Sequence, residues 1–309
     1  MENVTCLAGG VGAAKLLQGL INVMPQENLT VIVNVGDDIE LHGLHISPDP
    51  DIIMYTLASI VDEEKGWGIQ GDTFNFVSML KQYGLETWFK LGDKDLATHV
   101  YRTCLIKEGV PLSGVIQRLC RALGLKVNLL PVTNQKIVPQ ILTNTGKMHF
   151  EEYLVKRGAR DRVLDVTFEG AELARPAPGV IKSIQDADGI IVCPSNPIVS
   201  IGPILAVKEV RSALTETSAK VVAISPIVGG STIKGPADKL MRGLGLDVSA
   251  FSVASLYRDF LDTFILDNID EKMKENIAKL GIEPIATDTI MKSLQDKVNL
   301  ATRTLQALL

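Results

Sequence analysis

Short apolar runs alternate with segments of helical apolar periodicity along most of the chain, the rhythm of an α/β protein. Val4–Ala8 is predicted as the first strand, and Val11 to Val23 as a helix with Leu16, Leu17, Leu20 and Ile21 inward. Leu29–Val35 is a near-continuous β-branched run, the pattern of a strand buried on both faces. A loop rich in His, Gly, Pro and Asp is expected from Gly36 to Asp51, with a helix over Ile52–Val61. Three periodic segments, Phe74–Tyr83, Asp93–Lys107 and Leu112–Leu123, predict a helical middle.

Between Lys126 and Phe168 the texture changes to short strands at Val127–Val132, Lys136–Leu142 and Val163–Phe168. The α/β rhythm returns at Gly189–Cys193. Expected after it are a helix over Ile201–Leu214, a strand at Lys220–Ile224, a helix at Ala237–Leu244 and a strand at Phe264–Leu266. Helices at Asp270–Leu280 and Asp288–Leu308 are expected to flank a strand containing Pro284. The predicted fold is Rossmann-like: a mostly parallel sheet with helices on both faces, formed by residues 1–125 and 180–309, with a smaller α+β insert at 126–179.

The 309 residues are 46% hydrophobic, so core size is not limiting. A net charge of −5 argues against a broad nucleic-acid surface. Cys6, Cys104, Cys120 and Cys193 lack zinc-type spacing and fit a reducing compartment. The most apolar stretch, Gly189 to Val207, contains Pro194, Ser195, Asn196, Pro197, Ser200 and Pro203, so it is not a clean membrane span. No secretory or transit signal precedes the first strand. These features predict a cytoplasmic protein that engages neither membrane nor nucleic acid, with a homodimer as the default assembly.

Four segments follow strands and lead into helices, where α/β proteins bind ligands. The first is Leu7-Ala-Gly-Gly-Val-Gly-Ala-Ala-Lys15, in which Gly9, Gly10, Val11 and Gly12 are candidates for phosphate contact and Lys15 for charge. It breaks the dinucleotide fingerprint, because Lys15 stands where glycine or alanine belongs. The second is Asn34-Val-Gly-Asp37-Asp38, continuing through His42-Gly-Leu-His45 to Pro48-Asp49-Pro-Asp51. Adjacent carboxylates repel, and a hard cation offsets that cost. The third, Cys193-Pro-Ser195-Asn196-Pro-Ile-Val-Ser200-Ile-Gly-Pro203, carries short polar groups on a proline-fixed path. The fourth contains Gly229-Gly230-Ser231-Thr232. In addition, Trp88-Phe-Lys90-Leu-Gly-Asp93-Lys-Asp95-Leu-Ala-Thr-His99 joins an aromatic pair to a charged turn, a segment suited to a flat ligand with a polar tail.

Together these segments resemble the 2-phospho-L-lactate transferases of deazaflavin coenzyme (coenzyme F420) biosynthesis, from the first strand to beyond Asp238. The resemblance implies magnesium-dependent transfer of a 2-phospholactyl or enolpyruvyl phosphate group from a guanosine diphosphate-linked donor. The acceptor it implies is the hydroxyl of 7,8-didemethyl-8-hydroxy-5-deazariboflavin, and GMP leaves. Carried onto this chain, it places deazaflavin on Asp51 and Lys90, with His42, Asp49 and Trp88 beside them. Magnesium falls on Asp37, Asp38 and Asp51, and catalysis on Asp38 and Asp51. The nucleotide phosphates fall on Gly9–Gly12, Lys15, Ser195, Asn196, Ser200, Gly229 and Gly230. Two rivals stand beside it: a nicotinamide dehydrogenase of the same broad fold, and a non-enzymatic nucleotide-sugar-binding regulator of the same superfamily, which this chain resembles at the glycine turn and at Ser200-Ile-Gly-Pro203.

Overall fold

Seven parallel strands carry the molecule, and the computed structural model describes all residues, 1–309. The strands are β1 (Val4–Ala8), β2 (Leu29–Val33), β3 (Asn128–Pro131), β4 (Gly189–Val192), β5 (Lys220–Ile224), β6 (Thr263–Asp267) and β7 (Glu283–Thr287). Their spatial order is β7-β6-β5-β4-β1-β2-β3. The order reverses at β1 and β4, so right-handed crossovers put helices on both faces and leave a crevice at that switch point. Every residue of β1 and β4 is buried, as their continuous apolar runs require. The three central strands end level, with Ala8 beside Val33 and Leu7 beside Val192. Three helices carry residues considered below: α1 (Gly10–Leu20), α2 (Pro48–Leu57) and α3 (Asp93–Lys107).

The strand at 128–131, grouped with the insert on sequence texture, pairs in parallel with β2 instead and forms the sheet edge. A small antiparallel sheet follows, in the order Gly146–His149, Val138–Thr143, Val163–Glu169. Its first-named strand has no counterpart among the sequence expectations. Ile141, Phe150, Tyr153 and Val163 join the same apolar cluster as the main sheet, so the antiparallel sheet shares that core.

Several boundaries differ from the sequence reading, each for a local reason. The expected loop from Gly36 to Asp51 holds a hairpin, Ile39–Leu41 with Leu44–Ile46, turned by His42 and Gly43 at positive φ. The next helix starts four residues early, because Pro48 suits a first helical position and Asp49 and Asp51 suit a first turn. The expected helix 201–214 is two, Ile201–Ala206 and Val210–Glu216, broken where Glu209 takes φ 74°. Apolar positions at 201, 204, 207 and 210 keep their spacing across the break, which hides it from periodicity. The last helix begins at Leu294 rather than Asp288, set by a capping box between Ser293 and Asp296. Residues 268–273 form a 3-10 turn before the helix Lys274–Ala278, and Ala250–Leu256 is a further helix. No helix is long and apolar enough to cross a membrane.

Candidate active site

Asp49 ties the first two candidate segments together. Its Oδ1 accepts from the Gly10 amide at 2.8 Å and its Oδ2 from Asn34 Nδ2 at 2.9 Å. Asn34, the residue after β2, also donates Nδ2 to the Val199 carbonyl at 3.2 Å, while the Gly9 amide donates to Ser195 Oγ at 3.3 Å. The glycine turn, the acidic segment and the Pro-Ser-Asn-Pro loop therefore meet at the β1/β4 switch point. Two glycines permit this approach. A Cβ on Gly9 would stand 2.6 Å from Asp49 Oδ2, and one on Gly12 only 2.2 Å from the Pro194 carbonyl oxygen. The Gly9 and Gly10 amides are thus used internally. Val11 and Gly12, also in the first turn of α1, have no carbonyl four residues back within the helix.

The acidic side chains differ in circumstance. Asp37 is 5% exposed, and its Oδ1 is buried with no hydrogen-bond partner. Burial, with Asp49, Glu151 and Asp38 close by, pushes its carboxyl well above the usual range. Burial lifts Asp49 to about 6 against the pull of Asn34 and the Gly10 amide. Asp38 accepts from Ser47 Oγ at 2.6 Å and pairs with His45 Nε2 at 2.8 Å. His45, not His42, is the histidine that meets the acidic segment; His42 sits exposed at the hairpin tip. Asp51 is buried, and Arg102 engages both of its oxygens.

Two residues escaped the sequence reading. Glu151 and His149 come from the end of the antiparallel sheet and reach the acidic segment through the fold. Burial, then Asp49, pushes Glu151 to about 8. His149 Nδ1 accepts from the Glu151 amide at 3.0 Å, its Nε2 is buried without a partner, and burial lowers its pKa, so the ring is neutral. No spacing signal marks them, because they adjoin the acidic segment only after the antiparallel sheet has formed.

The remaining candidates make their contacts outside the Asp49–Asn34 junction. Lys15 donates Nζ to the Met291 carbonyl at 3.1 Å. Asn196 Oδ1 accepts from the amides of Ile198 and Val199, which shapes its own loop, and Ser200 is buried beside Gly9. Gly229 and Gly230 form the two-residue turn of a hairpin, with the Gly229 amide bound to Asp270. Trp88 is half-buried edge-on to Phe89, and Lys90 is exposed on the irregular segment that enters α3.

Two acidic groups differ in their fitness for a magnesium ion. Asp51, Asp95 and His99 offer ligand atoms within 4.8 Å of one another. The Arg102 guanidinium already supplies the cation there, and a mixed nitrogen–oxygen set suits a softer metal. The Asp37 side offers carboxylate oxygens free of any guanidinium, one of them buried without a partner, which fits a hard cation.

Comparison with known proteins agrees with this geometry. Residues 4–305 match the family described as 2-phospho-L-lactate transferase CofD. A 2-phospho-L-lactate transferase of Methanocaldococcus jannaschii is 41% identical over 302 residues, covering 96% of each chain. One from Methanothermobacter thermautotrophicus is 41% identical over 298 residues, 96% of this chain and 95% of its own. A phosphoenolpyruvate transferase of Streptomyces griseus is 40% identical over 309 residues, 98% of this chain and 97% of its own. Among solved structures, a UPF0052 family member from Bacillus halodurans superposes with a TM-score of 0.62 over 98% of each chain. At 16% identity it speaks for the fold alone.

Proposed function

The chain belongs to the CofD family, the 2-phospho-L-lactate and phosphoenolpyruvate transferases of coenzyme F420 biosynthesis, and on that premise we propose how its crevice performs the transfer. The donor is a guanosine diphosphate-linked phospholactate or enolpyruvate, and the acceptor is the deazaflavin hydroxyl. Val11, Gly12, Ser195 and Ser200 hold the nucleotide phosphates at the N-terminal end of α1. Asp37 and Asp49 would hold magnesium, which would neutralise charge on the donor phosphates. Asp51, Trp88 and Lys90 orient the acceptor, and Asp38, backed by His45, takes the proton from its hydroxyl. The new bond joins that oxygen to phosphorus, and the bond to the departing GMP breaks. Positioning and charge neutralisation carry such a reaction, so no covalent nucleophile is required. The nicotinamide rival has no place in this family, and the broken fingerprint at Lys15 already opposed it.

The observation that carries the reading is the junction of the two ligand loops and the acidic segment through Asp49 and Asn34, beside an unpartnered Asp37 oxygen. Incubation with deazaflavin, magnesium and each candidate donor is expected to give GMP and a phosphodiester-linked acid by mass spectrometry. Release of GDP instead would contradict the bond cleavage assigned here.

The same carboxyls set an expected pH response. Asp49 near 6 and Glu151 near 8 keep protons in the folded chain after the unfolded chain has released them. Where the folded state binds more protons, stability falls as pH rises, so metal-free protein should lose stability from about pH 4 to about pH 8. Magnesium competes with those protons, so its stabilising shift should grow between about pH 6 and pH 8. Melting curves with and without magnesium across that range check both signs.

A further inference from the structure

A cluster of buried charged and polar side chains surrounds Asp51 where α2 meets α3. Arg102 on α3 is fully buried and forks onto Asp51 of α2: Nη1 donates to Oδ2 at 3.1 Å and Nη2 to Oδ1. Nη1 also lies 3.2 Å from His99 Nδ1 and donates to the His45 carbonyl at 3.4 Å. His99 Nε2 stands 3.3 Å from Asp95 Oδ1, and Tyr55, one turn after Asp51, donates its hydroxyl to that same oxygen at 2.7 Å. The ring Asp51–Arg102–His99–Asp95–Tyr55 thus fastens α2 to α3 just after the segment that carries Trp88 and Lys90. Thr103 ties α3 to the hairpin strand Leu44–Ile46, since its Oγ1 donates to the His99 carbonyl and accepts from the His45 amide.

Buried ion pairs are seldom the most stable way to join two helices, because apolar side chains of similar volume do as well or better. A guanidinium fork does something they cannot: it fixes both oxygens of one carboxylate in a plane. Each Asp51 oxygen keeps a second lone pair for a ligand hydroxyl. We propose that Arg102, held in turn by His99, is a positioning residue that sets the Asp51 carboxylate for the acceptor alcohol. This rests on the reading of Asp51 as an acceptor contact.

The test compares Arg102→Lys, Arg102→Met and His99→Gln with Asp51→Asn, measuring kcat, KM for deazaflavin, KM for the donor and melting temperature. Displacement of a substrate contact by about 1 Å can cost about two orders of magnitude. Arg102→Met is therefore expected to raise the deazaflavin KM by roughly tenfold to a hundredfold, with the donor KM unchanged. Arg102→Lys restores the charge but not the fork, and should recover part of that loss. His99→Gln should fall between wild type and Arg102→Met. If Arg102→Met does not fold, Arg102→Lys and His99→Gln carry the comparison. A raised deazaflavin KM in Asp51→Asn with none in the Arg102 and His99 variants overturns the positioning role alone. An unchanged deazaflavin KM in Asp51→Asn overturns the acceptor reading, and this proposal with it. Equal changes in both KM values, or a loss confined to melting temperature, assign the network to stability and also overturn the proposal.

Discussion

Asp37→Asn is expected to lower kcat by roughly 10²–10³ at saturating substrates while raising the melting temperature of the metal-free protein. The kinetic loss corresponds to about 3–4 kcal/mol of transition-state stabilisation, the scale of a metal contact beside a transferring phosphoryl group. The gain in stability has a separate cause. Asp37 is buried among Asp49, Glu151 and Asp38, and its Oδ1 has no donor, so the folded chain carries an uncompensated acid there. Asparagine keeps the shape and removes the repulsion. Asp37 is a cleaner probe than Asp49, whose carboxylate also accepts from Gly10 and Asn34 and holds the rim together. The measurement pairs steady-state kinetics with a magnesium titration followed by thermal shift. A variant that melts higher without metal yet still shows the wild-type magnesium response would remove Asp37 from the metal site.

The rim at the centre of the sheet was legible in the sequence because it is built from local signals. A β-branched strand running into glycine, aspartate or proline says where the strand ends and that ligand-facing chemistry follows. Those signals located Gly9–Gly12, Asp37–Asp51 and Ser195–Ser200, which the structure brings within hydrogen-bonding range through Asp49 and Asn34. Residues whose meaning depends on tertiary pairing were not legible. Glu151 and His149 look like ordinary polar residues after a short strand, until the antiparallel sheet packs them against the acidic segment. Asp95 and His99 stand in the charged turn that the sequence offers to a flat ligand, and Arg102 has no local signal; at helical spacing on α3, all three turn inward onto α2. The start of α2 was missed for a local reason, since Pro48-Asp-Pro-Asp51 has the composition of a loop and also the positional chemistry of a helix N-terminus.

Gly12→Ala sets two local effects against each other, and their magnitudes decide the sign. Within a helix, alanine is favoured over glycine by about 1 kcal/mol. At Gly12, however, the added Cβ would stand 2.2 Å from the Pro194 carbonyl oxygen, a backbone atom with no rotamer to escape into. Pro194 and Pro197 stiffen the loop that carries it, so α1 must move instead, at a cost of about 1–3 kcal/mol or more. The clash should win: the variant melts lower, and its donor KM rises because the first turn of α1 leaves the Ser195 loop. Gly114→Ala in the helix Leu112–Ala122 supplies the contrast. There the nearest atom, at 3.2 Å, is a Val110 methyl that can yield, and the expected change in melting temperature is slight or upward. Equal melting of the two variants would mean that the close contact between α1 and the Pro194 loop, on which the whole rim depends, is not maintained in solution.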